Sequence, residues 1–353
     1  AYKFILKYVN SYKSIIISIF ALTVMLSILI PHPWPRAFLI MSVMAVVIKS
    51  ANIPREDSIK IGFTVFAASV PSSVIFLTGD SAINSLAVQA SGISVSWMQW
   101  FIYMGPPGII ASIITCFLIL ILFKPSKEIK INKKEIKEKL CFLGPVSSVE
   151  KRTIVWLVIA VVLWLTDSIH GIDIGWITLL ISMLMSFPVI GDILDSKQWG
   201  EVPVHVLLFL TAAMTIGKVG GVTGMNNWIA ETVLPSTIPS NPYLLAAIIA
   251  VISIGIHMVL GSVIAVMGIA IPALLIFTEP MSISPIVITL LVYSSISIHY
   301  ILPFHHLNIL VGQGEENGMY GQKEVLRLGV PLTAVVFIIV FIEVIYWRLI
   351  GLF

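Results

Sequence analysis

Apolar runs near or above the roughly 18 to 20 residues that cross a bilayer recur along the whole chain, leaving no room between them for a soluble domain of useful size. Ile15–Ile30, Gly108–Phe123, Thr153–Leu165 extended to Ser168, and Val330–Ile345 are the plainest. Inside lipid each segment must satisfy its own backbone, so an all-α polytopic membrane protein is the expected fold class. Only 11% of the residues are charged, against about 25% in soluble domains. Cys116 lies in an apolar run and Cys141 in a basic linker, which offers neither a disulfide framework nor a thiolate metal site. Tyr2–Ser14 is polar and lysine-bearing, without the cleavage site of a signal peptide.

The connections alternate in charge. Lys3, Lys7 and Lys13; Lys49, Arg55 and Lys60; nine Lys/Arg against four Glu between Lys124 and Arg152; Lys197; and Lys323 and Arg327 share one side. That side is expected to be cytoplasmic, in a multi-pass protein of the plasma (inner) membrane. Ala90–Ser96, Ile169–Ile174, Pro235–Asn241 and Glu279–Pro285 contain no Lys or Arg and face outward. The net charge of +3 is therefore a membrane-orientation signal, and nucleic acid is not an expected partner.

The alternation works only if two segments enter and leave on one side. Residues 14–49 are interrupted by Pro31-His32-Pro33-Trp34-Pro35-Arg36, which no straight helix accommodates. Residues 242–278 break near Gly261-Ser262. Both read as re-entrant helical hairpins, and non-helical backbone at membrane depth implies a cavity. After each hairpin comes an apolar segment broken by polar residues. Asn84 precedes Gly105 of Met104-Gly105-Pro106-Pro107 by 21 positions, and Asn308 precedes Gly329 of Leu328-Gly329-Val330-Pro331 by 21. The copies start on opposite sides, which makes an inverted repeat.

The expected organisation follows. Residues 1–124 hold a first-repeat portion, with hairpin 14–49, broken helix 57–90 and a final helix 104–124 after a turn. Residues 125–152 form a basic cytoplasmic linker. Residues 153–353 hold the second repeat, with helices 153–169, 174–190 and 203–234, hairpin 242–278, broken helix 283–313 and final helix 328–350. Inverted repeats with broken helices mark the binding sites of secondary transporters, where helix ends face anions and unwound carbonyls face cations.

At these residues the sequence resembles the divalent anion/sodium symporter family of di- and tricarboxylate or sulfate carriers, nearest to its carboxylate exchangers. The resemblance spans nearly the whole chain. Members carry a Ser-Asn-Thr tip in each hairpin, with a proline about ten residues after the outer serine, an offset matched by Ser262 and Pro272. Trp199-Gly200-Glu201-Val202-Pro203 and Thr223–Ala230 resemble the helix before the outer hairpin. Here the tips read His32-Pro33-Trp34 and Ser262-Val263-Ile264, and the breaks keep only Asn84 and Asn308. Sodium coupling loses its side chains, and exchange or proton coupling gains. The resemblance implies an elevator-type carrier, a homodimer in lipid, and about four further helices before the first hairpin.

The resemblance also points to the candidate site. Arg36 is the foremost anion ligand, with snorkelling toward the cytoplasm as its alternative. His32, Ser81, Asn84, Ser262, His305, His306 and Asn308 complete the expected substrate set, although His32 can equally face the vestibule. Pro33, Thr78, Gly79, Asp80, Gly261 and Pro303 stand at the tips and breaks where a coupling ion, Na+ or H+, would bind. Asp80 can instead neutralise Arg36 or cap a helix, Asn84 and Asn308 can equally be structural, orienting carbonyls, and the histidine pair can be hydrogen-bonded within the segment. His257 and His299 read as core histidines; Lys218 and Glu343 read as snorkelling or paired. Trp97, Trp100 and Tyr103 read as an interfacial belt.

No phosphate loop, nucleophile elbow, zinc motif or cysteine cluster occurs, so no enzyme, cofactor or resident metal is expected. The leading expectation is a secondary carrier of a small di- or tricarboxylate. A carrier of the same fold for sulfate, an oxyanion or cation/proton exchange is the nearest rival, and a non-transporting sensor or scaffold subunit the next.

Overall fold

Serines open three of the helices by reciprocal capping. The hydroxyls of Ser11, Ser96 and Ser147 each accept the amide three residues on, and the side chains of Ser14, Gln99 and Glu150 return the bond. Prolines 33, 242 and 285 stand in first turns, where no helical amide is lost. The computed structural model describes residues 9–127, 145–200, 202, 204–234 and 239–353. The described residues form α1 (Tyr12–Leu29), α2 (Pro33–Ser50), α3 (Arg55–Ser73), α4 (Ser81–Ser91), α5 (Trp97–Leu122), α6 (Ser148–Leu165), α7 (Ile174–Ser186), α8 (Val204–Val222), α9 (Met225–Val233), α10 (Pro242–Leu260), α11 (Val263–Thr278), α12 (Pro285–Ser297), α13 (Leu307–Leu310) and α14 (Gln322–Leu349), joined by shorter turns.

Among the described residues five helices are long and apolar enough to span a bilayer: Tyr12–Leu29, Trp97–Leu122, Pro242–Leu260, Val263–Met281 and Gln322–Leu349. The protein is an all-helical, polytopic membrane protein. Helices α3 and α12 lie at its centre; every residue of α12 from Ile286 to Ser297 is buried. The pair α1 and α2 packs on α3, and the pair α10 and α11 packs on α12. Helix α4 reaches across to α11 and α12, while α5 packs against α14. Helices α6 and α7 expose Val155, Val158, Val162, Trp176 and Met183, a surface suited to lipid.

Several sequence expectations are corrected here. Met104-Gly105-Pro106-Pro107 is no turn, because α5 runs unbroken from Trp97. A bilayer offers freed backbone groups no water, so a continuous helix that loses single bonds at proline is the better solution. Residues 203–234 divide into two helices at Gly224, whose φ is +78°. Helix α6 begins before residue 153 and stops at Leu165, followed by a turn at Asp167–His170, and α7 ends at Ser186. Trp97 and Trp100 are buried rather than interfacial. Their indole N–H groups donate to Thr78 Oγ1 (3.1 Å) and to the Val74 carbonyl (3.0 Å). Most of the basic linker and the Lys218 side chain lie outside the described residues.

The glycines of the final helices are explained by close approach. A Cβ on Gly329 would sit 2.3 Å from the Tyr300 carbonyl oxygen. We expect Gly329→Val to lower stability by about 1–3 kcal/mol or more, as overpacking does, read as a lower midpoint of thermal unfolding in detergent. An unchanged midpoint would mean that α14 can step back without loss.

Candidate functional site

Two interruptions lie between packed helices, and each joins a helix-pair tip to a broken helix. In the first, α1 ends at Leu29 and His32 caps α2, its Nδ1 accepting the Trp34 amide at 3.3 Å. Helix α3 ends at Ser73, one tight turn covers Leu77–Asp80, and α4 starts at Ser81 with Asp80 as its cap. The Ser81 amide and hydroxyl both donate to the Pro31 carbonyl, at 3.2 and 3.0 Å, tying break to tip.

Arg36 lies at the centre of this junction, fully buried. One terminal nitrogen donates to the carbonyls of Ile30 (3.2 Å) and Gly79 (2.8 Å); the other donates to Ser73 Oγ (2.7 Å). Expected from sequence to hold an anion or to snorkel, the guanidinium is turned inward onto protein acceptors. It fills the place between tip and break carbonyls, and only its Nε is without a partner. Gly79 leaves no space beside it, since an added Cβ would lie 2.4 Å from the Ser73 carbonyl oxygen. Asn84 wraps the same break, its amide donating to Ser73 and Phe76 carbonyls at 2.9 Å and to that of Leu77 at 3.3 Å. Its own oxygen accepts from the Tyr293 hydroxyl on α12.

The second junction is built from α10, α11, α12 and α13. Gly261 takes a left-handed φ of +64° at the end of α10, and the Ser262 hydroxyl caps α11 through the Ala265 amide at 3.4 Å. After α12 the chain unwinds, makes a single turn at Pro303–His305, and re-enters helix at α13 with His306 as cap. His305 Nδ1 accepts the amides of Ile301 (3.3 Å) and Leu302 (3.2 Å). His306 Nε2 donates to the Ser297 carbonyl at 3.1 Å, the position that the Asn84 amide serves at Ser73 in the first break. Asn308 is thereby released: its oxygen accepts from Trp34 Nε1 (2.9 Å), and its buried Nδ2 has no partner.

Two residues read as core histidines join this junction. His257 Nε2 donates to the His305 carbonyl at 2.8 Å, and His257 stands 5.5 Å from the His305 ring and 6.1 Å from that of His299, centroid to centroid. His257 Nδ1, His299 Nδ1 and His305 Nε2 lack partners. No sequence spacing signals this cluster, which forms because α10 lies against α12 and the second break. The structure also links the junctions, Trp34 reaching Asn308 and Tyr293 reaching Asn84, so each break asparagine is held from the other half. Arg36 and Ser262 make no hydrogen bond to the histidines among the described residues.

Paired helices, broken central helices and buried polar groups at the interruptions are the pattern that accompanies binding sites in secondary transporters. The model of the sodium:sulfate symporter transmembrane region matches residues 1–353, and the chain belongs to that family, the divalent anion/sodium symporters. It is a family of transporters, not enzymes. A membrane protein of Cupriavidus necator is 25% identical over 97% of this chain and 69% of its own length. The dicarboxylate transporter 1 of spinach chloroplasts is 28% identical over 48% of this chain and 31% of its own. The L-tartrate/succinate antiporter of Escherichia coli K12 is 27% identical over 46% of this chain and 34% of its own. The matched segments thus span about a third of those two named transporters.

Proposed function

We propose that the chain carries small dicarboxylates by anion exchange, with Arg36 as a resident cation in place of a coupling sodium ion. The observation that carries the reading is the guanidinium held between the Ile30 and Gly79 carbonyls. Unwound carbonyls at a broken helix concentrate partial negative charge and attract a cation. A fixed guanidinium satisfies them permanently, and a sodium ion entering there would meet like charge. The names of the spinach and Escherichia coli relatives support a dicarboxylate cargo.

In this reading α1–α2 and α10–α11 are the two re-entrant hairpins, the halves form an inverted repeat, and the unit around α3 and α12 moves against a scaffold containing α6 and α7. The anion binds at the second junction, where Asn308 Nδ2 and His305 Nε2 are unpartnered and Gly261 of the outer tip lies against the His305 ring. The basic connections face the cytoplasm across the inner membrane, and two copies assemble. The test is counterflow in proteoliposomes of the full-length protein. Labelled succinate should leave only when a dicarboxylate is supplied outside, at the same rate when sodium is replaced by choline. Flux that requires a sodium gradient would overturn the resident-cation reading, and no flux of succinate, malate or tartrate would overturn the carrier.

A further inference from the structure

The geometry points to Glu343 as a proton-binding site of the moving unit, loaded from the aqueous phase before translocation and unloaded after it. The inference rests on the reading of the chain as a carrier. Glu343 lies on α14 and is fully buried, contrary to the snorkelling expected of it. Its Oε1 accepts from Ser294 Oγ on α12 at 2.5 Å, and its Oε2 has no partner. Among the described residues no ion pair reaches it.

The helices packed against α14 supply no counter-ion. Helix α12 presents Tyr293, whose hydroxyl is committed to Asn84, and α10 carries Tyr243 and His257, the latter bonded to the His305 carbonyl. Helix α5 has Tyr103 and Cys116 and no charged residue; the charged residues of α3 (Arg55, Glu56, Asp57 and Lys60) lie in its first turns. On α14 itself Lys323, Glu324, Arg327 and Arg348 stand near the two ends, with Tyr346 donating to the Ile102 carbonyl. A carboxylate sealed in an apolar interior without a cation is strongly disfavoured, because nothing replaces the hydration it loses. Glu343 is therefore closed in as the neutral acid, its proton on Oε2, and ionises when movement admits water. A proton is thus taken from water on one side as the site closes and returned to water on the other.

The carboxyl is also mechanically tied to the first junction. Ser294, which grips Glu343, is the neighbour of Tyr293, which grips the break asparagine Asn84. A change at Glu343 that shifts α12 moves both contacts together, which is the differential interaction that coupling between two sites requires.

The test reconstitutes the full-length protein with succinate on both sides, a pH-sensing dye inside and an outer medium made more acid than the lumen, so that the inward and outward legs of exchange carry unequal numbers of protons. The wild type should move protons with succinate, several-fold faster at acid than at alkaline pH. E343Q should exchange succinate more slowly, at a rate independent of pH, with the proton signal reduced to that of empty vesicles. A proton flux in E343Q equal to that of the wild type, with succinate still exchanging, overturns the proposal alone. A wild type that moves no anion overturns the carrier reading and the proposal with it. Should E343Q fail to fold, infrared difference spectra of the wild type decide: the band of a protonated carboxyl should change on adding succinate, and an unchanged band overturns the assignment.

Discussion

Arg36→Ala is expected to abolish succinate exchange in proteoliposomes and to destabilise the first junction by about 2–4 kcal/mol, since buried acceptors left unpaired each cost about 1–3 kcal/mol. The guanidinium is the shared partner of the Ile30 and Gly79 carbonyls and the Ser73 hydroxyl. Ser73 keeps a second bond to the Ser69 carbonyl at 2.5 Å, so the two backbone carbonyls bear most of the loss. Arg36→Lys retains the charge but not the fork that spans tip and break, and should recover stability in part and transport weakly. If Arg36→Ala exchanges succinate at the wild-type rate in sodium-free buffer, the resident-cation reading falls. If it regains activity only with added sodium, that reading is strengthened, because the vacated carbonyls would then accept the ion.

The two break asparagines should respond to alanine in opposite ways, although sequence spacing presents them as equivalents. Asn84→Ala strands three carbonyls and the Tyr293 hydroxyl, and at about 0.6–2 kcal/mol per hydrogen bond in a membrane interior it should be the more destabilising substitution. Thermal unfolding in detergent would show this as a large fall in midpoint. Asn308→Ala removes one bond from Trp34 and an amide that is otherwise unpaired, so its midpoint should move little. Its succinate exchange should nevertheless drop by tenfold or more, a change of about 1.4 kcal/mol in effective binding. Equal losses of stability, or normal exchange in Asn308→Ala, would remove Asn308 from the anion site.

That contrast shows where a sequence stops being informative. The matched spacings identify both asparagines and both prolines of the repeat, and the chemistry of an amide allows either a strut or a ligand. Which role each plays is decided by the residue that occupies the neighbouring acceptor. In the second break His306 takes the Ser297 carbonyl, and in the first no residue competes with Asn84 for Ser73. Arg36 illustrates the same limit. An arginine four residues beyond a proline-rich tip reads as an anion ligand, and folding turns it inward onto backbone carbonyls. The helices themselves were less ambiguous, yet Pro106 and Pro107 of α5 read as a turn until the structure showed a helix passing through them.

The bilayer explains the division. It imposes length, apolar composition and charge asymmetry on each segment separately, so the helical class, the polytopic character and the position of both interruptions are written in local runs of residues. Polar partners inside the bundle are not local. Tyr293 meets Asn84 across 209 positions and Trp34 meets Asn308 across 274. The histidine cluster and the burial of Glu343 arise in the same way, from helices that meet only once the halves have packed. Without water to satisfy them, such groups take whatever partner the tertiary structure brings within reach, and that choice alone separates a brace from a binding site.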